Sequence, residues 1–348
     1  MYYNSSKYVK FKNSKTNPFV VNSSTFNNCS ALIRVFGHIK LTSGSVFSTC
    51  PNFFIHDVLE DITIKPTRGQ WYGPDTDTTE GKTQWDNNEN LETNITLGTA
   101  DIGSCFRGTK VNIYDVYYIL NMCDNVTSIN NLFYACSNVK TSFENPLSRD
   151  TFKYCGNVTS AVLTFYATGL SGPMYSPTHT GDTVTEYNGL LSPLKKLTNV
   201  NQMFRTSGNM FYIDDLFFYN AAEDTPLQLK VIDSFFGYGN SNVVFVDNCD
   251  ETLTEENAES RRTYARASKL LRYLPKLTNL GNMFNGCWIN FDTEVTENNT
   301  HYSPLFAYNR ELVNISWSFR SIKAKGSLIN LFGGREEFDN MELFSRKI

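Results

Sequence analysis

The chain has 348 residues, room for two or three ordinary domains or for one extended array. Thirty-one Lys and Arg against 35 Asp and Glu leave a net charge of −4, so bulk electrostatics offers no footing for nucleic acid. Leu, Phe and Ile together number 71, enough apolar content for a packed core, and no apolar run is long enough to span a membrane. The 38 Asn are turn formers, because their side chains bond their own backbone and tolerate left-handed conformations.

In chain order, the first twenty residues carry Lys7, Lys10, Lys12 and Lys15 but no apolar signal-peptide core, so export by that route is not expected of the chain as written. Residues 1–59 then hold two half-copies of a pattern, Phe26-Asn-Asn-Cys29-Ser-Ala-Leu32 and Phe47-Ser-Thr-Cys50-Pro-Asn-Phe53. These read as an N-terminal cap and first repeats. Residues 60–100 lack the pattern. They are turn-rich and polar and read as an inserted loop region carrying Trp71, Tyr72 and Trp85, aromatic types favoured at contact surfaces; the alternative is that the tryptophans cover the flank of the array. Asp75, Asp77 and Thr79 alternate as in a calcium loop, but Glu80 stands where such a loop needs Gly.

From residue 101 to 340 the full pattern recurs. Val126-Thr-Ser-Ile129-Asn-Asn-Leu132-Phe133-Tyr-Ala-Cys136 matches Leu277-Thr-Asn-Leu280-Gly-Asn-Met283-Phe284-Asn-Gly-Cys287, and Leu197-Thr-Asn-Val200-Asn-Gln-Met203-Phe204 follows the same spacing. Weaker copies centre on Phe106, Phe152 with Cys155, Phe165, Phe236, Phe319 and Phe332. Leu191, Leu194 and Leu197 return eighty residues on as Leu271, Leu274 and Leu277. A copy that cannot bury its own apolar face must stack on its neighbours, so the Leu, Met and Phe slots are the expected core. The Cys three residues after Phe reads as a small buried hydrophobe, and the eight cysteines read as free thiols, because a ladder of parallel side chains does not suit disulfide geometry. Two further insertions interrupt the array. Residues 172–190 are rich in Gly, Pro and Thr; residues 250–274 contain a capping box, Thr252 with Glu255, and set Arg262, Arg266 and Lys269 on one helical face, solvated or meeting an acidic partner. Residues 341–348 form a C-terminal tail.

These segments, LTNVNQMF, LTNLGNMFNGC and NVTSINNLFYAC above all, resemble the BspA-type leucine-rich repeats of bacterial surface proteins, including phage-encoded relatives from gut bacteria. The resemblance covers most of Ser23–Phe338 intermittently. It implies an irregular leucine-rich-repeat-like solenoid of α+β class with a short strand per coil and inserted loops, used for adhesion or protein contact.

Catalytic signatures are missing from the sequence. His38, His56, His179 and His301 are scattered without metal-ligand spacing, and no GxSxG, P-loop or GxGxxG occurs. The expectation is a non-enzymatic structural or adhesive protein without cofactor. A phage virion component, tail- or capsid-associated, comes first and a bacterial surface adhesin second. A carbohydrate-active enzyme centred on Trp71–Trp85, with Asp75, Asp77 or Asp86 as acids, comes last. The expected partners are virion neighbours or a host-surface receptor, with surface glycan in second place, and the chain is expected to work within a larger assembly.

Overall fold

The structure is a computed structural model and describes residues 7–57, 66–142, 145–173, 190–207, 211–213, 227–236, 243–245, 271, 274–290, 306 and 309–325. Arg262, Arg266, Lys269, Phe332 and the capping box at Thr252 lie outside the described residues, as do nearly all of the 172–190 and 250–274 insertions and the tail. The chain divides into two compact units. Unit 1 comprises Met1–Lys140 and Leu163–Gly169; unit 2 comprises Thr141–Val162 and Leu170–Ile348.

In unit 1 the copies centred on Phe26, Phe47, Phe106, Phe133 and Phe165 lie side by side. Their rings form one row, with successive centroids 5.4, 5.8, 6.1 and 5.5 Å apart and planes within 21° of parallel. Backbone hydrogen bonds join each copy to the next at alternate residues. The N–H of Ser104, Phe106 and Gly108 donates to the C=O of Asn130, Leu132 and Tyr134, and the N–H of Ser45, Phe47 and Thr49 to that of Gly103, Cys105 and Arg107. Alternating donation of this kind is how a parallel ladder satisfies its backbone. Outside the core, Tyr134 and Tyr166 stack at 4.6 Å, with the Arg107 guanidinium 4.6 Å over Tyr134.

Unit 2 repeats the arrangement around Phe204, Phe236, Phe284 and Phe319. Leu280, Asn282, Phe284 and Gly286 donate to Asn314, Ser316, Ser318 and Arg320, and Phe204 donates to Phe235. Isolated parallel bridges run Ser160 to Asn199, Val231, Asn279 and Asn314, the residue five before the template Phe in each copy. The side chains of Asn199, Asn279 and Asn314 each accept the N–H two residues on, which turns the chain there. A five-stranded parallel sheet accompanies these copies: β5 (Gly172–Pro173), β6 (Phe211–Ile213), β7 (Val243–Phe245), β8 (Trp288–Asn290) and β9 (Lys323–Lys325), paired in chain order.

The backbone reason for the template is a pair of left-handed residues flanking Phe in seven copies, those of Phe47, Phe106, Phe133, Phe165, Phe204, Phe284 and Phe319; Phe26 has only the later one. Two residues before it, Ser45, Ser104, Asn131, Leu163, Gln202, Ser234, Asn282 and Trp317 all have φ between 51° and 61°. Two residues after it stand Asn28, Thr49, Gly108, Ala135, Ala167, Thr206, Gly286 and Ser321, again at positive φ. Such a residue costs roughly 1–2 kcal/mol when it is not Gly, so the surrounding hydrogen bonds and packing must hold it. Phe152 differs from the other template phenylalanines. It is fully buried but closes a short 3-10 turn, Arg149–Phe152, and neither Asp150 nor Tyr154 is left-handed.

The template cysteine does more than fill space. The Cys50 thiol donates to the Phe26 carbonyl at 2.9 Å and the Cys136 thiol to the Phe106 carbonyl at 2.9 Å, each reaching the preceding copy. In three copies a small hydroxyl stands in place of Cys: Thr109, Thr168 and Ser207 are all buried, and the first two donate to the Phe carbonyl of their own copy, while the Phe319 copy has Ile322 at that position. The seven described cysteines are buried free thiols, and burial pushes those of Cys50 and Cys136 up to about 12 and about 11.

The 60–100 region departs from the loop expected of it. Residues 79–86 form helix α1 (Thr79–Asp86), and β4 (Thr93–Leu97) pairs in parallel with β3 (Arg34–Leu41). Along its other edge β3 takes two short parallel partners, β1 (Tyr8–Lys10) at residues 34–36 and β2 (Phe19–Val21) at residues 39–41. Between them the Asn13 side-chain amide bonds both the N–H and the C=O of His38, at 3.0 and 2.7 Å, as a missing strand would. Gly37 has φ 109°, and a Cβ there would sit 2.4 Å from the Phe11 carbonyl oxygen. A second helix, α2 (Ile113–Leu120), is buried along its whole length.

Two outcomes test this reading. Cys50→Thr keeps a donor for the Phe26 carbonyl while Cys50→Val, nearly the same shape, does not, so Val should lose about 1 kcal/mol more stability by chemical denaturation. Gly286 sits at φ 79° with open space around its would-be Cβ, so Gly286→Val should cost about 1–2 kcal/mol from backbone strain alone.

Candidate functional site

A buried polar cluster in unit 1 is assembled by α2, β3, β4 and residues 55–57 and 71–72. It starts from the cap of α2. Asn112 accepts the Asp115 N–H at 3.0 Å and Asp115 accepts the Asn112 N–H at 3.1 Å, the reciprocal bonds of a capping box. Asp115, with no exposed surface, also accepts the His56 N–H at 3.1 Å and His56 Nδ1 at 2.8 Å. One carboxylate thereby ties the start of a helix to a segment 59 residues earlier.

His56 is enclosed by three tyrosines. Tyr72, Tyr114 and Tyr118 stand edge-on to its ring at 4.5, 5.3 and 4.8 Å, and its Nε2 has no hydrogen-bond partner. The Tyr72 and Tyr114 hydroxyls bond each other, and the Tyr118 hydroxyl accepts the Ile95 N–H at 3.0 Å. Burial raises the pKa of all three phenols, so each stays protonated at neutral pH. Beside them Arg34, 5% exposed, reaches Asp57 at 3.0 Å, the Ile55 carbonyl at 3.2 Å and the Glu92 carboxylate.

Trp71 and Tyr72 are consecutive and each covers a histidine. Trp71 lies 4.6 Å from the ring of His38, with the Lys15 ammonium 4.8 Å above the indole, and Tyr72 covers His56. Their backbone is held by Asn94 of β4, which accepts the Tyr72 N–H at 2.7 Å and donates to its carbonyl. Both aromatics keep part of their surface in solvent. Trp85, expected on a surface loop, is instead buried on α1, because α1 packs its Gly81 and Trp85 side inward.

The weak calcium candidate resolves into helix-start chemistry. The Asp75 backbone carbonyl accepts from Thr78, its carboxylate accepts the Asp77 N–H at 3.1 Å, and Asp77 binds the Thr16 hydroxyl at 3.0 Å. Thr79 is the first residue of α1, whose N-cap is Thr78. A Cβ at Gly81 would meet the Asp75 carbonyl oxygen at 2.0 Å, so the turn and helix are pressed together. Among the described residues no three His, Cys, Asp or Glu side chains are grouped to hold a metal ion. None of the helices there is long and apolar enough to cross a membrane.

Sequence reasoning passed over Asp115, His56, Tyr114, Tyr118, Asn94 and Arg34. The Asn112-x-x-Asp115 capping spacing was a usable signal for the helix start, but the His56 partnership was not, since the neighbouring Asp57 in sequence pairs with Arg34. Chemically the cluster offers protonated phenols and an imidazole closed in by rings. It is suited to fastening residues 71–72 onto β4 and α2.

Asp115→Ala should cost about 3 kcal/mol or more, because the His56 imidazole and the backbone N–H groups of His56 and Asn112 lose their acceptor together, whereas Tyr72→Phe should cost about 1 kcal/mol. Urea denaturation of the two variants measures the ratio. Trp85→Ala should likewise lower the melting temperature, as a core truncation worth about 3 kcal/mol. No family model matches the chain, and comparison with curated proteins and with solved structures gives no match.

Proposed function

We propose that this chain is a non-enzymatic structural or adhesive protein whose copies act as coils of an irregular leucine-rich-repeat-like solenoid, and that it is a tail- or capsid-associated component of a phage virion. The observation that carries the reading is the copy-to-copy ladder with its row of phenylalanines, repeated in each unit. Stacked copies present a preorganised surface, so little conformational entropy is lost when a partner binds.

Partner contact is assigned to aromatic groups that keep exposed surface. In unit 1 these are Trp71 and Tyr72, with Trp85 withdrawn to the core. In unit 2, Trp317 is 63% exposed with the Arg320 guanidinium 5.0 Å over its ring, and Val313, four residues earlier, is 74% exposed. Trp and Arg are over-represented among residues that dominate binding energy. The polar cluster supports a scaffold over a catalyst, because its ionisable groups are spent on one another. A bacterial surface adhesin is the second reading; it rests on the resemblance of LTNLGNMFNGC and its sister segments to BspA-type repeats.

Quantitative mass spectrometry of purified particles and of cell-envelope fractions separates the two. Recovery in particles at a fixed ratio to the major capsid protein is the expected result. Recovery in the envelope alone would favour the adhesin, and a hydrolytic activity on glycans that is lost on Asp75→Ala or Asp77→Ala would overturn the non-enzymatic reading.

A further inference from the structure

His38 occupies an unusual position for an imidazole. It is 1% exposed, and neither ring nitrogen has a hydrogen-bond partner. Its backbone is fixed on both sides, by the Asn13 amide and by pairing with Asn94 in β4, so the ring cannot swing out with its strand. What covers it is the segment from residue 66 to 78, through Trp71.

The charged groups facing the ring come from two elements. Lys15 of the N-terminal segment lies over the Trp71 ring, while Asp75 and Asp77 approach from the covering segment itself. Burial lowers the His38 pKa and is the largest influence, with Lys15 adding to it. The Pro74 carbonyl and the two carboxylates work in the opposite direction. A proton taken up by the closed site would add a charge and a second N–H donor to a buried ring, and the nearby Pro74 carbonyl and the two carboxylates do not outweigh that burial. Once the segment lifts, water can satisfy both. The segment's second aromatic, Tyr72, rests on His56, whose Nδ1 lies 2.8 Å from an Asp115 carboxylate oxygen.

We propose that residues 66–78 form an acid-released strap: protonation of His38 lifts Trp71 from β3 and frees the strap from the buried polar cluster. Above the ordinary imidazole pKa of about 6.5 the ring is neutral whether the strap is closed or open, and closure is at its strongest. As pH falls below that value the open state takes the proton first, and closure weakens by up to about tenfold per pH unit. The weakening stops below the closed-state pKa, where both states carry the proton.

Hydrogen exchange of the full chain between pH 5 and 8, corrected for intrinsic rates, reads this directly at the Tyr72 amide, which is bonded to Asn94. Protection there should fall below about pH 6.5 while the Phe106 ladder amide keeps its own, and His38→Phe, which retains a ring beneath Trp71 but cannot be protonated, should remove the dependence. Unchanged protection across the range, or the same pH dependence in His38→Phe, would overturn the proposal. Should His38→Phe fail to fold, NMR titration of the wild-type His38 ring decides: a pKa below about 6.5 that moves together with the Trp71 indole signal supports the strap, and a pKa at or above it does not.

Discussion

The constraint on which the rest depends is the backbone of the template: two left-handed residues flanking a buried Phe, with alternate N–H groups donated to the next copy. The left-handed residues bend the chain on either side of the ring, so that Phe points into the core while its amide still reaches its neighbour. A copy on its own would bear the strain of those conformations without the hydrogen bonds that offset it. The contacts between copies therefore carry a large share of the stability of each unit.

Two details show how closely the side chains serve this backbone. In the copies of Phe26, Phe47, Phe106, Phe133, Phe152, Phe165, Phe204 and Phe284 the residue three after Phe is Cys, Thr or Ser, three types that share small size and a donor, and in four of them that donor reaches a template Phe carbonyl; the Phe319 copy has Ile322 there instead. The Asn five before Phe in three copies turns the chain by accepting a backbone N–H.

The apolar positions of the template were legible because their spacing is local and repeats in the sequence: Phe133, Phe204 and Phe284 stand out, and all three are fully buried. The left-handed positions were not, since Leu163, Gln202 and Trp317 share a conformation with Ser104 and Asn131 but no chemistry. Reading the position three after Phe as Cys concealed that Thr109 and Ser207 occupy the same slot. The 60–100 region was misread because Gly and Pro around Trp71 suggested a loop throughout, while the Thr78 cap of α1 and the five residues of β4 were short enough to be lost within it. The polar cluster was the least legible part. His56 and Asp115, or Tyr72 and Asn94, meet only after β3, β4 and α2 have packed, and no local pattern encodes that meeting.

The most direct test of neighbour-to-neighbour stabilisation is a double-mutant cycle along the ring row of unit 1. Phe106 and Phe133 are adjacent, with centroids 6.1 Å apart, whereas Phe47 and Phe165 are separated by both of them. With Phe→Leu at each site, the adjacent pair should show a coupling of about 0.5–1.5 kcal/mol and the separated pair should be additive within about 0.5 kcal/mol. Equal coupling in both pairs, or none in either, would contradict an account in which each copy is held by the one beside it.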